Sequence, residues 1–265
     1  MSGLKNELRF HAFQIRQNFN NKRVLKKSFM VQIISMCLSN TSFFIIWIMF
    51  SKTIGVQNGW GPLQTFGMLS VCLLVFGLTH SVFGSLISWF EKVPSGALDS
   101  MLNKPKSVYI RLMNNEFGIG AIGDILQGAL GLAVFFFLDH TSLLAIIKLG
   151  LLIIPSILIE ISFIMAGGCT MLWLPQAGSL PAALNNLILA PATQPISMLR
   201  GTLRYLYLFA IPALVISGLP IESIQNTGWT IFALSYGISL AWLAFSVWLL
   251  NISLRRYESG NSIGA

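Results

Sequence analysis

Glu91–Arg111, EKVPSGALDSMLNKPKSVYIR, is the longest charged interruption between two hydrophobic runs that are each long enough to cross a bilayer. It carries four basic residues, Lys92, Lys104, Lys106 and Arg111. Pro94 suits the first turn of a helix, where no backbone N–H is needed, and Lys104-Pro105 stops that helix. Between them Val93, Ala97, Leu98, Met101 and Leu102 fall near one face at helical spacing. The segment fits either a solvated loop between two membrane helices or an amphipathic helix that docks into a separate cytoplasmic protein. The side of the membrane it occupies, and the chemistry the rest of the chain lacks, bear on that choice.

Outward from this segment, the composition excludes a soluble protein. Hydrophobic residues make up 54% of the chain and charged ones 10%, with a mean hydropathy of +0.72. Soluble domains carry about 25% charged residues. Six helices of about 20 residues would take roughly half of such a chain. Loops and an N-terminal arm account for the remainder, so no folded enzyme domain is expected. The net charge of +8 is carried by residues that flank hydrophobic runs. That placement points to topology and anionic lipid, not to nucleic acid. Cys37, Cys72 and Cys169 lie within or beside the runs and form neither a disulfide framework nor a metal-ligand spacing.

The arm, residues 1–27, has seven basic residues against one acid, Glu7. Leu4, Leu8, Ala12, Ile15 and Phe19 step by three or four along it, which predicts a basic amphipathic helix lying in the membrane interface. The first apolar run starts near Phe29 and continues for a full membrane width, so it is expected to stay as a spanning helix and not to be cleaved as a signal peptide. Hydropathy predicts six spans, at about 29–50, 63–89, 117–138, 149–172, 202–219 and 228–250. Residues 173–201, broken by Pro175, Pro181, Pro191 and Pro195, are expected to form a broken or short surface helix. The predicted organisation is an arm (1–27), an all-α six-helix transmembrane domain (28–251) and a tail (252–265).

Charge asymmetry orients this set. Of the 17 lysines and arginines, 15 fall on one side of the predicted membrane: the arm, the Glu91–Arg111 loop, Arg200 and Arg204, and Arg255 and Arg256 in the tail. Lys52 and Lys148 fall on the other. The positive-inside rule therefore places both termini, and the Glu91–Arg111 segment, in the cytoplasm.

Candidate chemistry is sparse. Gly118–Gly123, GIGAIG, matches G-x-G-x-x-G, but no strand precedes it and a membrane-length apolar run follows. Helical spacing explains it better: Gly120, Asp124, Gly128 and Gly131 share a face whose small residues let helices approach closely, which turns Asp124 inward. Asp124 and Glu160 are the two acids within predicted spans, and His80 is a third titratable group. A buried acid at a helix centre costs about 2.5–3.5 kcal/mol on insertion scales, so each calls for a structural partner, a polar pathway or a coupling role. His80 and Asp124 sit at similar depth on sequential antiparallel spans and are expected to pair. No catalytic constellation and no metal site emerge, and H-E-x-x-H is absent. No G-x-x-x-x-G-K-[ST] occurs either, so work done with ATP has to come from another polypeptide. Asn40-Thr41-Ser42 matches a glycosylation acceptor but falls inside the first span, where it carries no such meaning.

Three separated stretches resemble the six-helix permeases of the bacterial ABC type-2 family. Val93–Pro105 is similar to that family's cytoplasmic G-x-L-D-x-x-L-x-x-P segment, with Gly96, Leu98, Asp99, Leu102 and Pro105 in place. Thr193–Ile224 resembles its fifth-helix region, including an R-x-x-x-x-x-x-I-P pattern at Arg204–Pro212. Asn251–Ser262 is similar to its tail, with Arg256, Tyr257 and Ser259 matching. Gln194-Pro195 departs from the aromatic residue more usual before that proline. The resemblance implies an exporter permease in the bacterial inner membrane that works as a dimer, with a second copy or a sister permease. It also implies two separate ATPase subunits, which bind the ATP and Mg; this chain itself is expected to hold no cofactor and to catalyse nothing. Val93, Pro94, Gly96, Leu98, Asp99, Met101 and Leu102 would then form the coupling helix. His80, Asp124 and Glu160 would be pathway or bundle polar residues. The competing expectation is an autonomous ion-coupled transporter using Asp124, Glu160 and His80. No internal inverted repeat and no matched pair of broken spans favours it.

Overall fold

The computed structural model describes residues 6, 9, 13, 16, 17, 20, 26–56, 59–84, 86, 90, 93, 118–174, 180–194, 199, 201–225 and 229–256. In chain order the helices are α1 (Lys26–Ile54), α2 (Pro62–Phe83), α3 (Gly120–Leu138), α4 (Leu143–Trp173) and α5 (Leu180–Ala192). They are followed by α6 (Thr202–Tyr205), which runs into a π-helical turn (Leu206–Ala210), then α7 (Ala213–Ile216), α8 (Gly218–Gln225) and α9 (Thr230–Arg256). Among the described residues five helices, α1–α4 and α9, are long and apolar enough to cross a bilayer. In the arm, residues 6, 9, 13, 16, 17 and 20 are helical and exposed.

Local chemistry sets several ends. Pro62 occupies the first turn of α2, and the Gln64 side chain reaches back to accept from the Gly61 N–H at 3.1 Å. Ser142 caps α4 by accepting from the Ala145 N–H at 3.3 Å. The tight turns at 55–61 and 139–142 lie at one end of the bundle, here the turn end. The last turns of α2 and α4 and the first turns of α3 and α5 lie at the opposite end, here the loop end.

The predicted small-residue face of α3 packs as expected. Gly128 lies so close to α2 that a methyl group there would stand 2.5 Å from the Leu74 backbone nitrogen. A methyl at Gly77 would stand 2.7 Å from the Ile125 nitrogen. Two helices in contact at glycine gain dispersion along their backbones, which is the available attraction where lipid is as apolar as any side chain. α1 runs parallel to α3 at its edge, and Met30, Ile34, Leu38, Ile45 and Met49 remain exposed on its outer face. The small residue Gly123 lets it approach: a methyl there would stand 3.1 Å from the Ile33 carbonyl oxygen.

α4 and α9 form the second pair, also parallel. Pro155 sits inside α4 and has no N–H to give the Leu151 carbonyl. The Tyr236 hydroxyl of α9 donates to that carbonyl at 2.9 Å. One turn along, the Ser239 hydroxyl donates to the Pro155 carbonyl at 3.0 Å. At the turn end, the Lys148 ammonium stands 5.5 Å from the centre of the Trp229 ring. At the loop end, Leu86, Phe90 and Val93 pack with Ile161, Ile164 and Met165 of α4 and Leu250 of α9 in a second small core.

Residues 173–225 differ from the sequence expectation. In place of a continuous span over 202–219 there are three short helices and a π-turn, interrupted at Ile211-Pro212. The Arg204 guanidinium meets both carboxylate oxygens of Glu222 at 3.1 Å, so residues 18 apart in sequence stand side by side. A straight helix would separate them by about 27 Å. The stretch therefore folds back on itself, with its tip at Ile211-Pro212. The Trp242 indole N–H donates to the Phe209 carbonyl at 2.9 Å, and the Ser156 hydroxyl lies 2.9 Å from the Val215 carbonyl. Both contacts sit near the middle of α9 and α4, so the tip is at mid-height and the Arg204–Glu222 pair lies towards the turn end. Arg204 thus leaves the basic group with which hydropathy had placed it. α5, in turn, is no surface helix: Ile188 and Ala192 are buried, and the Ser217 hydroxyl donates to the Ala192 carbonyl.

Tyr236→Phe removes the donor that replaces the proline's missing N–H. The thermal midpoint of the detergent-solubilised chain should fall by the equivalent of about 0.6–1.7 kcal/mol, the range for hydrogen bonds between membrane helices. Gly128→Ala puts a methyl against a backbone nitrogen that cannot rotate away, and should cost about 1–3 kcal/mol in the same measurement. A midpoint unchanged in either variant contradicts the packing described.

Candidate functional site

A cavity of about 440 Å³ opens between α1, α2, α3 and α5. Its walls are mainly apolar: Met36, Phe43 and Phe44 of α1, Leu69, Leu73 and Phe76 of α2, Ala121 of α3 and Leu189 of α5. The polar atoms are few and come from each helix: Ser39 and Asn40, His80, Asp124, and Asn185 and Thr193. The volume lies in the range of small-molecule sites, and a few convergent polar groups on an apolar wall is the usual composition of one.

The polar groups fall into two sets. Asp124 is 6% exposed and its Oδ1 accepts from the Asn40 side-chain amide at 2.6 Å. At the next residue of α1 and about one turn further along α3, the Gln127 amide donates to the Thr41 hydroxyl at 2.9 Å. These two bonds form a short polar ladder between α1 and α3 in an otherwise apolar contact. Asp124 therefore pairs with Asn40, not with His80.

His80 belongs to the second set. Its Nδ1 lies 2.9 Å from the Phe76 carbonyl one turn back and 3.4 Å from Oε1 of Glu160 on α4. The ring stacks on Phe76 with centroids 5.8 Å apart. Glu160 is fully buried, and the buried Thr79 hydroxyl, beside His80 in sequence, stands within reach of its carboxylate. Burying a carboxylate is costly, so this acid depends on its two polar neighbours, Thr79 and His80. His80 faces the cavity and Glu160 stands behind it. The structure thus brings His80 and Glu160 together, and brings His80 and Asp124 to one cavity without contact.

Of the predicted docking segment, Val93 lies among the described residues. It is 3% exposed and packed in the loop-end core, so it anchors the segment to the bundle. Pro94, Gly96, Leu98, Asp99, Met101 and Leu102 lie outside the described residues. Phe90 seats against Gly168 of α4, where a side chain would collide with its ring.

Residues 36–261 match the profile of the ABC-2 family transporter proteins. The chain belongs to that family. No curated protein and no solved structure matches it. The match begins at Met36 on α1 and takes in all four helices around the cavity. An ABC-2 protein is the permease component of an ABC transporter, a membrane transport subunit that is normally not itself catalytic and generally works with ATP-binding subunits. With its membrane-length helices the chain is a multi-pass membrane protein.

Asn40 and Asn185 are cavity residues that sequence reasoning did not select. For Asn40 a signal exists: it is a polar residue inside a predicted span, as is Asp124. Asn185 shows no comparable pattern.

Asn40→Leu should leave the Asp124 carboxylate buried without its donor. The expected loss is about 1–3 kcal/mol, the cost of an unsatisfied buried group, read as a lower thermal midpoint in detergent. Adding Asp124→Leu should recover much of it, because removing both partners deletes the stranded group. Equal and additive losses from the two substitutions would show that the pair is not coupled.

Proposed function

We propose that this chain is the permease subunit of an ATP-driven exporter, with the cavity between α1, α2, α3 and α5 as part of its pathway. The observation that carries this reading is the family match over nearly the whole length of a chain whose sequence contains no P-loop. Both termini and residues 91–111 face the cytoplasm of a bacterial cell, and the bundle sits in the inner membrane. Thirteen of the 17 basic residues lie in the arm, residues 91–111 and the tail, which supports the orientation without counting Arg200 or Arg204.

Transport requires two permeases, as a homodimer or with a sister chain, and two ATPase subunits that bind ATP and Mg. Membrane lipid is the remaining partner, and nucleic acid has no place in the scheme. Closure of the ATPases presses on residues 93–102, where Leu98, Met101 and Leu102 form the docking face. Phe90 and Val93 tie that segment to α4 and α9 through the loop-end core. A push on the segment is delivered by packed side chains to α4, which carries Glu160 next to the cavity histidine. A ligand can shift a bundle only by binding one state better than the other, so the contact has to be stiff, and buried Phe90 and Val93 make it so.

The test is assembly with the cognate ATPase. Leu98→Asp and Asp99→Ala should each abolish co-purification or lower ATP-dependent transport at least about tenfold, while the permease retains its thermal midpoint. Intact assembly and transport in both variants would remove the coupling assignment. Transport by the chain alone in liposomes, driven by an ion gradient and lost on substituting Asp124, Glu160 or His80, would replace this reading with an ion-coupled one.

A further inference from the structure

We infer that the cavity takes an amphipathic organic cation, a single positive charge on an aromatic or bulky apolar body, with Asp124 as its counter-charge. The inference rests on the permease reading above and adds the substrate class to it.

Charge balance is the first argument. Among the described residues no lysine or arginine lines the cavity, and Asp124 is the acid that does. The Asn40 amide occupies Oδ1, and Oδ2 carries no hydrogen bond among the described residues. A carboxylate on an apolar wall favours a cation as partner, and it disfavours an anion by the same Coulomb interaction with the sign reversed.

The other polar groups include acceptors that a cation can use. Asn185 has a buried Oδ1 with no hydrogen-bond partner. The Thr193 hydroxyl proton is donated to the Ala190 carbonyl at 2.8 Å, so its oxygen is left to accept. The His80 Nδ1 is held at the Phe76 carbonyl, and the Glu160 carboxylate stands behind that ring. The donors on the wall, on Ser39, Asn40 and Asn185, are neutral, so the formal charge facing the cavity among the described residues is the Asp124 carboxylate.

The walls complete the match. Phe43, Phe44 and Phe76 all line the cavity. Aromatic faces attract cations through the ring quadrupole and bury apolar ligand surface as well. A small hydrated metal ion would gain nothing from these walls. A neutral apolar ligand would gain nothing from the carboxylate.

Two probes of nearly the same size and shape but opposite charge, tetraphenylphosphonium and tetraphenylborate, separate the possibilities. Binding is measured by equilibrium dialysis to the full-length chain in nanodiscs, with uptake by empty nanodiscs subtracted. Tetraphenylphosphonium should bind saturably and at least about tenfold more tightly than tetraphenylborate. Asp124→Asn keeps the size of the side chain and removes its charge; it should weaken the cation at least about tenfold and narrow the gap between the probes. Leu189→Trp fills the cavity from α5 and should abolish binding whatever the fate of the Asp124 variant. Tetraphenylborate binding as tightly as the cation to the unmodified chain overturns the inference, as does cation affinity unchanged in Asp124→Asn or in Leu189→Trp. No ATPase is present in this assay. A chain that couples to its ATPase but ignores the cation fails here alone, and one that binds the cation but never assembles with an ATPase fails the permease reading alone.

Discussion

Hydrocarbon offers no hydrogen bonds, and a backbone carbonyl freed within a membrane bundle has to find its donor in the protein. That constraint governs the half of the molecule built from α4 to α9. Pro155 frees the Leu151 carbonyl, and Tyr236 satisfies it. The break at Ile211-Pro212 frees the Phe209 carbonyl, which Trp242 satisfies. Ser156 reaches the Val215 carbonyl and Ser217 reaches that of Ala192. Each donor comes from a different helix than its acceptor, so the irregular stretch 193–225 exists only because α4, α5 and α9 hold it. The same bonds bring α5 inward, where it becomes the fourth wall of the cavity.

The other half of the molecule is held by close approach. Gly77 and Gly128 bring α2 and α3 together, and Gly123 admits α1. Close backbones leave little room for large side chains between helices, so the polar ones that remain have defined partners. The Asn40–Asp124 and Thr41–Gln127 bonds sit on one such seam. Where α5 stands off from the seam, space remains, and the carboxylate of Asp124 is at its edge. Packing and chemistry are thus set by the same few positions.

Glu160 lies away from that seam. Its carboxylate is fully buried, with the imidazole of His80 at 3.4 Å and the Thr79 hydroxyl within reach. Both neighbours come from α2, so the acid on α4 ties these two helices together through polar contacts.

The sequence by itself determined the membrane class, the five long helices, the inward face of α3 and the burial of Asp124. These follow from local quantities: mean hydropathy over a helix length, and the angular spacing of small residues. The positive-inside count is equally local, and moving Arg204 did not reverse it. The Glu91–Arg111 segment was legible as charged, with its proline boundaries, yet the tight anchoring of Val93 was not. Only the tertiary structure decided the course of residues 173–225, the partners of Asp124 and Glu160, and the cavity. An apolar run of 18 residues has one hydropathy whether it crosses the membrane or folds back halfway. What separates the two is a proline at its centre and hydrogen bonds to donors on other helices. The carboxylate partners depend likewise on contacts such as Asn40 with Asp124, 84 residues apart, which no local pattern encodes until the helices are set side by side.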